Sequence, residues 1–143
     1  IFRAWLWEEL TRMLSPRGAL LGQAALFSLV HTRFSLGFWP MLGLLTGLFL
    51  LGLILTLLRL RDQGSLWGCI GLHGGLVGGW FVLQSSLLQI SPDAPAWLVG
   101  PGGLNPNPLG GLVAAASLAV VLNRQVTAVA KAARPDTGAR SES

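Results

Sequence analysis

Ser65–Trp80 reads SLWGCIGLHGGLVGGW. The stretch is apolar and glycine-rich, with one imidazole, His73, at its middle. On a helix Gly71, Gly75 and Gly79 share one face, because residues four apart stack along the axis. Such a face lets a second helix bring its backbone close, which is how helices associate in lipid. An ionisable side chain in an apolar span is costly, so His73 marks a functional site by default. A packed histidine bonded to a neighbouring carbonyl is the plainer alternative.

Composition points the same way. The chain has 143 residues, 52% hydrophobic and 11% charged. A soluble domain carries about 25% charged residues, and this length suggests one domain. The net charge of +4 sits in turns and at the end of the chain. It therefore reads as membrane topology rather than nucleic-acid binding. The single cysteine, Cys69, excludes an internal disulfide and a multi-cysteine metal site; it reads as an inert buried thiol.

Working outward from Ser65–Gln89 as one helix, Trp39–Leu60 is the clearest span. It runs for more than about 18 residues without a charge, carries Gly43 and Gly47 at packing spacing, and is closed by Arg59, Arg61, Asp62 and a turn at Gly64. Ala19–His31 predicts a short helix, about 20 Å long against a hydrocarbon core of about 30 Å. It should stop within the membrane with His31 at its buried end, followed by a turn, Thr32–Phe38, containing Arg33. Ile1–Leu14 has Phe2, Leu6, Leu10, Met13 and Leu14 at helical spacing, Trp5 and Trp7 as interfacial anchors, and Glu8 and Arg12 spaced to pair. Ser15–Gly18, with Pro16, ends that helix and opens the next. Downstream, Ser91–Pro108 is a long loop crowded with Pro and Gly, with Trp97 as a further anchor. Leu109–Leu122 begins a fifth helix that continues through Asn123–Ala133. The expectation is an all-α, polytopic transmembrane bundle of about five helices over residues 1–133, with a disordered polar tail over 134–143.

Arg12 and Arg17, Arg59 and Arg61, and Arg124, Lys131, Arg134 and Arg140 fall on one side if helices alternate; Arg33 and Asp93 fall on the other. The positive-inside rule makes the first side, with the C-terminal tail, cytoplasmic. The setting is a multi-pass protein of a bacterial inner membrane or a thylakoid. His73 lies about 12 Å and His31 roughly 20 Å from that side by the helical rise. Tilt, or an inward-folded turn, is needed to bring them level.

Phe27-Ser28-Leu29-Val30-His31 has the form FxxxH, and after the charge-closed helix and RLRDQGSLW comes GLHGG around His73. This order resembles the CPBP family of intramembrane proteases, also called the CAAX-protease or abortive-infection family, in an N-terminally truncated form. The family shows EExxxR, then FxxxH, then a histidine often followed four residues on by Asn. Phe27 and His31 match the second motif and His73 the third, with Val77 in place of the usual Asn. Gly102–Gly111, GGLNPNPLGG, looks like the family's late loop. For the first motif, Glu8-Glu9 puts Met13 where Arg belongs. Ile1-Phe2-Arg3 fits better as the motif's end, with Arg3 its arginine and the glutamates just before Ile1. Arg3 also reads as a flank anchor, and Glu8 and Glu9 as an exposed helix face.

The resemblance implies an endopeptidase acting on a membrane-embedded or prenylated peptide. A glutamate with a desolvation-raised pKa would take a proton from water. His31 and His73, with Arg3 and the supporting Phe27, would position that water or stabilise the oxyanion. Zinc is an option, since two imidazoles and a carboxylate can hold it with an open position, though glutamate chemistry does not demand it. Without the glutamates this chain is expected to cleave nothing alone. The alternative is a non-catalytic membrane subunit or assembly factor docked on other membrane proteins. In a photosynthetic complex His31 or His73 would ligate a chlorophyll magnesium. A transporter is disfavoured, because no inverted repeat is visible.

Overall fold

A computed structural model describes residues 5–91, 93–102 and 106–132. All its elements are helical: α1 (Trp5–Met13), α2 (Pro16–Leu29), α3 (Phe38–Arg61), α4 (Trp67–Ser86), the single turn α5 (Ala96–Val99), a 3-10 turn (Pro108–Gly110) and α6 (Leu112–Ala132). These are the five expected helices with one extra turn inside the long loop. Arg3 and the tail over 134–143 lie outside the described residues.

Local chemistry sets the boundaries. Ser15 caps α2, its hydroxyl accepting from the Gly18 amide at 3.2 Å, and Pro16 follows where a missing N–H costs nothing. α3 ends because Gln63 and Gly64 turn left-handed, at φ 53° and 91°. The Gly64 amide then donates back to the Arg59 carbonyl at 2.8 Å, satisfying a carbonyl the helix end leaves open. In α1 the observed ion pair is Glu9–Arg12, at 3.0 Å, rather than Glu8–Arg12; it is a surface contact.

α3 is the axis of the fold, with an unbroken buried run from Leu51 to Leu57. α2 lies antiparallel to it: Ser28 Oγ donates to the Leu45 carbonyl at 2.7 Å, and a Cβ at Gly52 would meet Ala24 Cα at 3.0 Å. α6 lies parallel to it on another side. Gly110 comes against Gly43, and Leu118 packs on the Leu51–Leu55–Cys69 cluster. α4 is held near its start, where Cys69 Sγ donates to the Leu55 carbonyl at 3.0 Å. Near its far end Trp80 Nε1 donates to the Pro106 carbonyl at 3.2 Å.

The two glycine patterns behave differently. At Gly43 an added Cβ would lie 2.7 Å from the Gly110 carbonyl oxygen, and at Gly47 it would overlap the Leu109 carbonyl. That spacing does carry a close approach. At Gly71, Gly75 and Gly79 an added Cβ meets nothing within 4 Å, so no described residue packs on the α4 glycine face.

Two helices are long and apolar enough to cross a membrane, Phe38–Arg61 and Leu112–Lys131. α4 falls short of that test because its glycines, tryptophans and His73 dilute its hydropathy. α2, at 14 residues, is about 20 Å long, as its sequence suggested. It ends at Leu29, so His31 sits in the following turn and is exposed. The helix therefore stops two residues before the expected terminus at His31. The Thr32 hydroxyl donates to the Leu29 carbonyl at 2.6 Å, and the His31 amide reaches Ser28 instead of Phe27, which tightens and stops the helix.

Candidate functional site around Phe27

Phe27 is the meeting point. Its ring is 9% exposed and set in the core with Leu44 and Leu48, with Leu36 and Leu109 packed alongside. The His31 ring centroid stands 4.7 Å from it, tilted by 57°. The His73 centroid stands 6.1 Å from it, edge-on at 80°. Both separations are in the range where aromatic rings attract through edge and face. The two imidazoles are therefore no farther apart than these two distances laid end to end. His31 reaches Phe27 from the α2–α3 turn and His73 from the second turn of α4. α2 and α4 do not otherwise pack on each other.

One protonation detail follows from geometry. His31 Nδ1 lies 2.6 Å from the Phe27 carbonyl oxygen. A carbonyl only accepts, so Nδ1 carries the proton, and in the neutral ring Nε2 keeps its lone pair. His73 is half-buried and its Nδ1 is shielded from solvent. Val77, one turn on, is 60% exposed and has no side-chain donor with which to replace an amide.

Among the described residues no three His, Cys, Asp or Glu side chains come together. Two imidazole nitrogens are a partial donor set for zinc, which takes at least three protein ligands, so these residues do not make such a site by themselves. A cavity of about 390 Å³ opens on another side of α3, lined by Trp39, Gly43, Thr46, Trp97 and Leu112 among others. Neither histidine lines it.

Sequence reasoning missed two tethers. Ser28 is buried, and its bond to Leu45 fixes the last turn of α2; a hydroxyl inside FSLVH, next to the core-facing Phe27, was the available signal. The Trp80–Pro106 bond joins α4 to the Pro/Gly loop and has no short-range signature.

The family model for type II CAAX prenyl endopeptidases, Rce1-like, matches residues 1–78. The chain belongs to this family. The matched segment of the CAAX endopeptidase domain contains Phe27, His31, His73 and Val77, and it stops before Trp80 and the Gly102–Gly111 loop. No curated protein and no solved structure matches the chain.

Proposed function

We propose that the chain is a CPBP-type intramembrane endopeptidase-like protein acting on a prenylated or membrane-embedded peptide, with His31 and His73 in its site. The observation that carries this reading is the convergence of His31 and His73 on the Phe27 ring. His31, proton on Nδ1, offers Nε2 to a water; His73 faces the same space and acts on the oxyanion. A carboxylate base completes the set, with Arg3 as the motif arginine. Among the described residues no carboxylate clusters with the two histidines. Residues 1–133 would form one multi-pass membrane domain, α3 and α6 spanning and the shorter α2 and α4 lying within the bundle. The arginine-rich end and the tail over 134–143 would be cytoplasmic, in a bacterial inner membrane or a thylakoid.

The test is the full gene product in proteoliposomes with a fluorogenic prenylated CAAX peptide. His31→Ala and His73→Ala should each lower kcat/KM by about 100-fold or more, the usual size of an acid–base or oxyanion contribution. Rates within threefold of wild type for either variant would refute the assignment.

A second reading is favoured by the open glycine face of α4 and by Val77: a non-catalytic subunit that docks this face on another membrane protein. A stoichiometric partner on purification, with no hydrolysis by the full gene product, would support it. Pigment lost on His73→Ala would support a chlorophyll ligand.

A further inference from the structure

The packing directions gather arginines at one end of the molecule. Ala24 faces Gly52 and Ser28 faces Leu45, so the antiparallel register carries Arg17, at the start of α2, to the height of Arg59 and Arg61 at the end of α3. Leu118 packs on the Leu51–Leu55–Cys69 cluster, and Arg124 lies under two turns further along α6, about 9 Å by the helical rise. It reaches the same height. Arg17, Arg61 and Arg124 are exposed.

Among the described residues the one ion pair is Arg12–Glu9, so none of these four guanidiniums has a carboxylate against it. The acid in the adjoining turn, Asp62, lies against Gly68. Arg59 Nη1 is buried and has no hydrogen-bond acceptor among the described residues. A buried donor on a charged group is costly unless an acceptor reaches it. Beside these arginines, Leu60 is 47% and Trp67 80% exposed, and an exposed indole next to cations favours the headgroup level of a bilayer. The opposite end offers Arg33 among exposed Phe34, Phe38, Trp39 and Trp97 and no comparable cluster of cations.

We propose that the Arg17–Arg59–Arg61–Arg124 end binds the phosphate headgroup of an anionic phospholipid, with Leu60 and Trp67 against the start of its acyl chains. Guanidinium forks suit phosphate oxygens; Arg17, Arg61 and Arg124 are exposed to reach them, while Arg59, whose Nε donates to the Gly64 carbonyl at 3.4 Å, adds its charge from just beneath. The proposal rests on the membrane reading of the chain and is independent of its peptidase reading.

The test uses the full gene product in mixed micelles with equal phosphatidylglycerol and phosphatidylcholine, the retained lipids being counted by native mass spectrometry. Phosphatidylglycerol should be retained at least about fivefold over phosphatidylcholine, since each cation near an anionic surface is worth roughly a factor of five. The quadruple Arg→Gln variant should bring the ratio to parity; Arg33→Gln should leave it unchanged. Should circular dichroism show the quadruple variant losing helix, Arg61→Gln and Arg124→Gln singly, both at exposed positions, should each lower the ratio. Parity in the unaltered protein, loss of preference on Arg33→Gln, no change in either single variant, or full displacement by millimolar inorganic phosphate would overturn the proposal. Retention of neither lipid would sink the membrane reading itself.

Discussion

Alanine at Gly47 and alanine at Gly75 should have opposite consequences, although both glycines sit inside apolar helices at similar spacing. At Gly47 the new methyl would overlap the Leu109 carbonyl, and the obstacle is backbone, not a flexible side chain. The 3-10 turn would have to move away from α3. Overpacking of this kind costs about 1–3 kcal/mol, and alanine's better helix propensity returns up to about 1 kcal/mol. A net loss near 1 kcal/mol is expected, a drop in Tm of roughly 3 °C for a chain of this size. The strain also reaches the histidines, because Leu109 packs against the Phe27 cluster. At Gly75 the methyl meets nothing within 4 Å, so only the propensity gain remains and Tm should rise by a degree or two. Thermal unfolding of both purified variants in one detergent, followed by circular dichroism, measures the difference. A Gly47→Ala chain as stable as wild type would refute the packing described for α3. A Gly75→Ala chain that loses stability would mean that its face is covered by a second molecule.

Four further outcomes are expected. Ser28→Ala, which removes the bond to the Leu45 carbonyl, should cost about 1 kcal/mol in the same unfolding assay; no change would mean the bond is not formed in solution. Cys69, 3% exposed, should resist maleimide in the folded protein and react once it is unfolded, so rapid labelling under native conditions would contradict the α3–α4 contact. In protein labelled with 15N-histidine at alkaline pH, His31 should show its proton on Nδ1, and a signal from protonated Nε2 would remove the carbonyl bond. Phe27→Leu keeps most of the volume but loses the ring contacts with both imidazoles, at about 0.5–1.5 kcal/mol each beyond burial; unshifted His31 and His73 resonances would show that the rings do not touch.

Much of this was legible because the code is local. α3 was read to within a residue or two from one charge-free run and its arginine stop, and the short α2 from Pro16 and the apolar run after it. FxxxH and GLH picked out the two histidines whose rings each lie near Phe27. The end of α2 was placed two residues too far along, at His31 instead of Leu29, because turn hydrogen bonds and not hydropathy decide where it stops. The glycine faces failed for a different reason. Gly43/Gly47 and Gly71/Gly75/Gly79 are equivalent as spacing, and what separates them is which one the loop before α6 returns to. That choice is a long-range event with no period in the sequence.

The way α4 is fastened has one more consequence. It is tied by the Cys69 thiol near its start and the Trp80 indole farther along, and between them Leu72, next to His73, packs on the Leu51–Leu55–Cys69 cluster. His31 instead follows α2, which is clamped along α3. His73 therefore takes its place from α3 and the Pro/Gly loop together, whereas His31 takes its place from the turn that closes α2.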